Sequence, residues 1–325
     1  MAISMNAIER AWSKQAKWLY LLAPLSGLFW CLSTIRRVLY NINLKASYKL
    51  DVPVIVVGNI SVGGNGKTPT VLAIVEHLIT QGYQPGILSR GYGGECKRFP
   101  YQVKTDDAAQ YVGDEPLLMA QETNVPVIID PNRVRGGQQL ATICDVIVCD
   151  DGLQHYALQR DIEIVVMDER RVGNGWLLPV GNLRELPQRL NDVDFIIINS
   201  ATLQHPNEYY MELTPQSIIP LLNIEDKQSE RLPSSFDFIM TGIGNPKRFE
   251  ETCERLNIQY ANSLFYDDHF AYSPEDVPSG IILMTQKDAV KCRAFALPSW
   301  YYLPVKASFS DDFLVQLSDK LRRLR

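Results

Sequence analysis

The sequence lacks the features that mark several common classes of protein. Its six cysteines include no CxxC pair and no regular framework, which argues against a zinc site and favours reduced thiols in a cytosolic setting. No internal repeat or low-complexity segment is evident. There is no excess of positive charge either, because the net charge is -5 at pH 7. Nucleic acid is therefore not expected as a partner.

What is present is the composition of a folded protein. The chain has 325 residues, of which 46% are apolar and 21% charged. This length suits one large domain or two of moderate size. The charge is unevenly distributed, since residues 1–50 carry a net +6 and the rest of the chain is acidic. A basic start on an acidic protein indicates attraction to an anionic surface.

The first 45 residues contain an apolar segment with basic flanks. No charged residue occurs between Trp18 and Ile35, a length at the lower limit for crossing a bilayer. Pro24 and Gly27 interrupt a straight spanning helix, and no clear cleavage site for a signal peptide follows. The segment is typical of a helix in the membrane interface. The alternative is a hydrophobic helix packed on the protein core.

Strand and helix signals alternate after residue 50. Continuous apolar runs such as PVIVVG, DVIVCDD, IEIVVMD and VDFIIIN are typical of buried parallel strands. They predict an α/β fold with a P-loop-type parallel sheet and helices on both faces. We expect a membrane-interface segment over 1–45, a P-loop core over 46–203, a linker over 204–235 and a smaller α/β domain over 236–325. The last helix could pack back on the core.

The sequence VVGNISVGGNGKTPTV follows a predicted strand and opens a predicted helix, which is the context of a P-loop. Backbone N–H groups of such a loop and the helix N-terminus hold phosphate oxygens. Lys67 can reach the terminal phosphates, and the Thr68 hydroxyl can ligate Mg²⁺. The usual first glycine is replaced by Ser61, so a chance glycine-rich turn is the alternative. The predicted phosphate-binding residues are Gly63, Gly64, Asn65, Gly66, Lys67 and Thr68.

Several polar residues elsewhere are candidates for metal binding or proton transfer. Asp150 and Asp151 end a buried strand, where an acid of a P-loop protein lies near Mg²⁺; a simple turn is the alternative. Asp114 lies at a helix bend and could instead be a cap, and His269 lies among acids and could relay a proton or serve a structural role. Nothing local places these two together. Arg184 and Glu185 suit phosphate and metal, although an ordinary surface pair is favoured by sequence alone.

Taken together, the motifs resemble the tetraacyldisaccharide 4′-kinase family of lipid A biosynthesis. The matching segments occur in family order between Val57 and Lys291. They are VGNISVGGNGKTP, SRGYGG, VGDEP, DPNRVRG, DDGLQH, PVGNLRE, TGIGNPKRF, DDHFAY and TQKDAVK. The family's loop generally lacks the first glycine, so Ser61 is not a departure from it.

The resemblance implies a reaction and a location. ATP would phosphorylate the 4′-hydroxyl of a tetraacylated glucosamine disaccharide 1-phosphate to give lipid IVA. The enzyme would be attached to the cytoplasmic face of the inner membrane of a Gram-negative bacterium, with a lipid substrate and no obligate protein partner inferred. The expected cofactors are ATP and Mg²⁺.

The resemblance also implies roles for matching residues. Asp114 resembles the catalytic base, and His269 resembles the histidine that pairs with it. Asp150, Asp151 and Glu185 match acids near Mg²⁺, and Arg133 and Arg184 match basic residues that meet phosphate.

Two other functions compete with this interpretation. A P-loop NTPase switch would share the GGxGKT motif. However, the NKxD motif that recognises guanine is absent, and TQKDA resembles it only loosely. A kinase for small soluble sugars is the second alternative, and the apolar segment with basic flanks argues against it.

Overall fold

The computed structural model describes residues 8, 11–12, 14–200, 202–203, 207–222 and 232–324. The helices are α1 (Ala23–Asn41), α2 (Lys67–Thr80), α3 (Ala109–Val112), α4 (Asp114–Thr123), α5 (Arg133–Leu140), α6 (Pro246–Arg255), α7 (Gln286–Cys292) and α8 (Asp311–Arg322). Short 3₁₀ helices cover Lys17–Leu22, Pro187–Asn191 and Arg293–Phe295.

The strands of the larger sheet are β1 (Val54–Gly58), β2 (Pro85–Ser89), β3 (Tyr101–Gln102), β4 (Val127–Ile129), β5 (Val146–Asp150), β6 (Ile162–Asp168), β7 (Phe195–Asn199), β8 (Glu208–Pro215) and, from near the end of the chain, β14 (Val305–Phe309). The smaller sheet contains β9 (Ile219–Pro220), β10 (Phe236–Thr241), β11 (Tyr260–Phe265), β12 (Ile282–Thr285) and β13 (Trp300–Leu303).

The larger sheet has nine strands in the order β14-β8-β7-β6-β1-β5-β2-β4-β3. Its pairs from β8 to β4 are parallel, and the two edge pairs, β14 with β8 and β3 with β4, are antiparallel. Strands β1, β5, β6 and β7 are buried along their whole length. Apolar side chains on the two faces belong to two separate hydrophobic clusters, each covered by helices. The predicted α/β class with a P-loop-type parallel core is confirmed.

The smaller sheet has five strands in the order β11-β10-β12-β13-β9. Four of them are parallel, and the short β9 pairs antiparallel with β13. The sheet has its own apolar clusters, which include Met240, Met284 and Trp300. It therefore forms a second α/β unit beside the larger sheet.

The segment 204–235 differs from the predicted linker. Residues Glu208–Pro215 form β8, which continues the larger sheet next to β7, and Ile219–Pro220 form the edge of the smaller sheet. Period-two alternation in β8 is weak because its second half is only partly buried. Part of the predicted linker, residues 204–206 and 223–231, lies outside the described residues.

The chain returns to the larger sheet at its end. Strand β14 pairs with β8, and Phe313, Leu317 and Leu321 of α8 are fully buried in the same cluster as α2. Residues 305–324 therefore pack on the core and not with the smaller unit that precedes them in sequence.

This packing predicts a contrast between two positions of α8. We expect Leu317→Ala to lower the free energy of unfolding by about 2–4 kcal/mol, because it leaves a cavity in the core. Val315 is 59% exposed on the same helix, and Val315→Ala should change stability by less than about 0.5 kcal/mol. Urea unfolding of both variants measures the difference. Equal losses would mean that α8 is not anchored in the core.

The apolar segment near the start docks on the core by only a narrow strip. Residues Lys17–Asn41 form a helical stretch that is long enough and apolar enough, by length and composition alone, to cross a membrane. Its most apolar 18 residues have a mean hydropathy of 1.5, and 11% of them are buried. The Ser26 hydroxyl donates to the Leu177 carbonyl at 2.9 Å and accepts from the Val180 N–H at 3.2 Å. Most of the apolar side chains of α1 remain exposed.

Candidate active site

The loop between β1 and α2 forms a phosphate cradle. Gly63 and Gly66 have φ of 113° and 94°, a region that favours glycine. Ser61 stands where the usual first glycine would be. Its hydroxyl accepts a hydrogen bond from the Asn65 amide at 3.0 Å and so helps to fix the loop. Helix α2 begins at Lys67, and its N-terminus points its free N–H groups toward the loop.

The predicted acids at the end of β5 lie beside this cradle. Strand β5 pairs in parallel with β1, and Asp150 lies opposite Val57. Because the strands are parallel, their carboxyl ends meet at the same edge of the sheet, where the cradle begins. The Ser89 hydroxyl donates to Asp150 at 3.2 Å. Asp151 leaves the strand with φ of 47° and faces the ammonium group of Lys67 at 3.5 Å. The two neighbouring acids thus have different surroundings, one buried and one open to the cleft.

Helix α4 brings a second pair of acids to the cradle. Gly113 separates α3 from α4 with φ of 94°, and a Cβ there would lie 2.7 Å from the Tyr92 carbonyl oxygen. This break makes Asp114 the first residue of α4. Its neighbour Glu115 accepts a hydrogen bond from the Thr68 hydroxyl at 3.1 Å. Glu115 therefore contacts the P-loop directly, and Asp114 lies beside it in sequence.

His269 reaches the same pair from the smaller unit. Its Nδ1 lies 2.9 Å and 3.1 Å from the two carboxylate oxygens of Asp114. The residue has φ of 58°, an uncommon conformation that the surrounding loop must maintain. The ring of Tyr92, from the SRGYGG segment, packs edge-on at 5.6 Å between centroids. The structure thus joins two residues that no local pattern places together and whose pairing only the family resemblance implied.

The charges at the cradle shift several pKa values. Burial raises the pKa of Asp114, but the hydrogen bond with His269 and the charge of Lys287 outweigh burial and lower this pKa to about 2. The same hydrogen bond acts in the opposite direction on its partner and raises the pKa of His269, although burial opposes the shift. Asp114 is therefore ionised at neutral pH and can accept a proton or a hydrogen bond.

Asp150 behaves in the opposite way. Burial, together with the nearby charges of Glu115 and Asp151, raises the pKa of Asp150 to about 7. Its Oδ1 atom is buried without a hydrogen-bond partner. An excess of carboxylates around an unpaired buried oxygen is the environment that a bound cation would stabilise.

The other predicted residues are held by protein groups. The Glu185 carboxylate accepts from Gln154 at 2.7 Å and from Tyr156 at 2.8 Å, so both of its oxygens are occupied. The buried Arg133 donates to the backbone carbonyls of Asp130 at 2.9 Å and Asp150 at 3.1 Å. Arg184 pairs with Asp151 at 3.0 Å. These contacts hold all three side chains in place around the end of β5.

Within the described ranges, no group of three or more His, Cys, Asp and Glu side chains could hold a metal ion by itself. This is compatible with Mg²⁺, which proteins usually bind through one or two carboxylates together with substrate phosphates and water. The unpaired Asp150 oxygen and the Thr68 hydroxyl fit that donor set. Asp151 pairs with two cations, and Glu185 accepts two hydrogen bonds and lies 3.4 Å from the Arg189 guanidinium, so both suit a supporting role better.

The cradle opens into a cleft of about 1680 Å³ between the two sheets. Its end next to α1 is basic and is lined by Arg36, Arg90 and His155. Burial and the arginine charges lower the pKa of His155 to about 4, so its neutral form prevails above that pH. The cleft thus has two arginines at the end that lies beside the exposed apolar helix.

Sequence reasoning missed several residues of the cleft. Lys287 contacts Glu115 across the cleft, and Arg248 of α6 donates to Asn199 at the end of β7 at 2.8 Å. Both basic residues lie in segments, TQKDAVK and TGIGNPKRF, that were noted only as family motifs. A pattern read along one element could not reveal them, because their partners, Glu115 on α4 and Asn199 on β7, belong to distant elements of the larger unit.

This fold and this site define the chain as a P-loop protein of the phosphoryl-transfer class, with an acid–histidine pair facing the phosphate cradle. Comparisons with known proteins narrow the class. The sequence model of the family described as Tetraacyldisaccharide-1-P 4′-kinase matches residues 18–322. The chain belongs to this family.

Individual relatives align with this chain over nearly their whole length. A protein named tetraacyldisaccharide 4′-kinase from Pseudoalteromonas atlantica is 48% identical over 308 residues, which cover 93% of this chain and 100% of that one. A relative of the same name from Tolumonas auensis is 45% identical over 326 residues, with 98% of both chains covered. The crystal structure of LpxK from Aquifex aeolicus in complex with ATP is similar in fold, with a TM-score of 0.79, 27% identity, and coverage of 94% of this chain and 98% of that chain.

Proposed function

We propose that this protein transfers the γ-phosphoryl group of ATP to the 4′-hydroxyl of a tetraacyl-disaccharide 1-phosphate, giving lipid IVA in lipid A biosynthesis. The observation that carries the proposal is the contact between His269 and Asp114, one residue away from the Glu115 carboxylate that touches the P-loop. Asp114 is buried, whereas His269 and Glu115 on either side of it line the cleft together with the loop Gly63–Thr68. Family membership supplies the acceptor.

The residues of the chain divide the work of phosphoryl transfer. Asp114 accepts the proton of the sugar hydroxyl as its oxygen attacks the γ-phosphorus, and the bond from that phosphorus to the β–γ bridging oxygen breaks. His269 orients the carboxylate and can share the proton. Lys67 and the loop N–H groups offset charge on the transferred group and on the departing ADP.

Mg²⁺ fits the donors described above. Asp150 and Thr68 would hold it, with Asp151 and Glu185 in support. When bound, the ion neutralises phosphate charge.

The acceptor would enter from the basic end of the cleft. Arg36 and Arg90 suit the 1-phosphate, and Arg184, which also lines the cleft, donates to Asp151 beside the cradle. Leu25, Leu28, Leu32 and Ile35 recur at three- and four-residue intervals on α1 and are all more than half exposed. This stripe would lie in the lipid layer, on the cytoplasmic face of the inner membrane, while the acyl chains stay in the bilayer.

The reaction can be tested with purified protein, [γ-³²P]ATP, Mg²⁺ and a tetraacyl-disaccharide 1-phosphate in detergent. We expect label on the lipid that depends on both substrates. Labelled inorganic phosphate without labelled lipid would support the NTPase switch and overturn the kinase. Transfer to water-soluble glucosamine sugars at an equal rate would support the soluble sugar kinase instead.

The membrane role predicts the behaviour of a charged substitution on the stripe. Leu28→Glu combined with Ile35→Glu should weaken binding to vesicles containing anionic lipid by roughly 10-fold or more, because a buried apolar contact is lost and a negative charge is added. The KM for vesicle-embedded lipid should rise while the KM for ATP stays the same.

The matched control is Leu297→Glu, which adds a charge at an exposed leucine, 48% accessible, of the smaller unit. Deleting residues 1–40 should also raise the apparent KM for the lipid, but it removes the Ser26 contacts with Leu177 and Val180 as well. Unchanged vesicle binding by the double variant would show that α1 serves only to pack on the core.

A further inference from the structure

Helix α7 is shared by the two α/β units. Val290 is buried in the hydrophobic cluster of the larger sheet, whereas Ala289 and Cys292 are buried in a cluster of the smaller sheet. The helix also packs against α4, whose first residue is Asp114. Any residue on the face of α7 that includes Val290 is therefore held at the boundary between the units.

The start of α7 is tied to the loop that carries His269. The Asp288 carboxylate is fully buried and accepts hydrogen bonds from Thr241 at 2.8 Å, the Gly242 N–H at 3.1 Å and the Tyr272 hydroxyl at 3.1 Å. Thr285 caps the helix by accepting from the Asp288 N–H. Tyr272 lies three residues after His269, so Asp288 fixes this loop relative to α7.

Lys287 lies three residues before Val290, which places both on one face of α7. Its ammonium group contacts Glu115, the neighbour of Asp114 and the acceptor for Thr68. Although burial lowers the pKa of Lys287, the Glu115 and Asp114 carboxylates outweigh burial and raise it, so the side chain stays charged. It pairs across the cleft with Glu115, and the charge of Asp114 lies nearby.

We propose that Lys287 is a positioning residue for phosphoryl transfer, whose ion pair with Glu115 sets α7 against α4 and so holds His269 on Asp114. This inference rests on the proposed kinase function. Two separate contacts join α4 to the smaller unit: Lys287 contacts Glu115, and His269 contacts Asp114. The hydrogen bonds of Asp288 in turn connect α7, which carries Lys287, to the loop that carries His269. Loss of Lys287 leaves Glu115 without its ion-pair partner on α7, beside Asp114 and Asp150, and the repulsion between the carboxylates moves α4.

The test compares Lys287→Met with Lys287→Arg in the ³²P-transfer assay. We expect Lys287→Met to lower kcat by about 10- to 100-fold, since a misplacement near 1 Å has an effect of that order, with the KM for ATP and the melting temperature little changed. Lys287→Arg should recover kcat to within roughly 3-fold of wild type, because it keeps the charge. The control is Lys306→Met, which removes an exposed pair with Glu76 on the larger unit.

A double-mutant cycle with His269→Gln separates positioning from mere stability. If Lys287 acts through His269, the double variant should be no more than about 3-fold slower than the slower single variant. Multiplied losses, an unchanged kcat in Lys287→Met, or a failure of Lys287→Arg to recover kcat would each overturn the inference. Failure of the kinase function itself is distinguishable, because the wild-type protein would then label no lipid.

Discussion

Replacing Asp114 with asparagine should lower kcat by about 10²- to 10⁴-fold, the range typical of losing a general base. The substitution keeps the size of the side chain and a polar contact with His269 but removes the proton acceptor. Asp114 is buried and begins α4, so asparagine should occupy the same place. Nucleotide binding should be retained, because Asp114 does not belong to the phosphate cradle.

The measurement is the initial rate of ³²P transfer to lipid at saturating substrates, together with calorimetric ATP binding. Asp319→Asn is the control, since it removes a half-exposed carboxylate that pairs with Arg322 on the surface. If Asp114→Asn retains more than a tenth of the wild-type kcat while Asp319→Asn is unaffected, another group accepts the proton.

Lys67→Met should lower kcat/KM by about 10²- to 10³-fold, as expected for losing one charged donor to the transferred phosphoryl group. The Lys67 side chain is 13% exposed and lies at the N-terminus of α2 among the glycines of the cradle. Methionine fills a similar volume, so the loss should come from the missing charge. Part of the loss should fall on ATP affinity, because the ammonium group meets the phosphates in the ground state as well.

Lys49→Met provides a matched control. Lys49 lies 3.7 Å from Asp161, close to the 3.5 Å between Lys67 and Asp151, but it is 70% exposed and outside the cleft. Kinetics of both variants over a range of ATP concentrations give the comparison. Equal, small losses would mean that the GGNGKT loop does not bind the nucleotide.

Local patterns predicted the parts of this protein that depend on neighbours in sequence. The helix expected after Lys67 is α2, and the apolar runs at Val54–Gly58 and Val146–Asp150 are buried parallel strands. These features are readable because the periodicity and the glycine pattern of one segment suffice to specify them. The strand β8 was missed for the same reason, since its half-exposed alternation is weak when its partner strand is unknown.

The candidate site was predicted in part. The loop Gly63–Thr68 and the acids at the end of β5 follow from strand ends that meet at one edge of a parallel sheet. Family resemblance, not pattern, linked Asp114 to His269.

The sequence by itself determined the parallel P-loop core, the phosphate cradle and the apolar, basic-flanked start, because each is specified by a contiguous run of residues. No local pattern places His269 on Asp114 across 155 residues, although the family resemblance implied that pair. Only the tertiary structure decided that Lys287 meets Glu115 across 172 residues. The return of α8 to the larger sheet was decided there too. The physical reason is that contacts between distant segments depend on strand order and on how two separately built cores pack together, which no local pattern encodes.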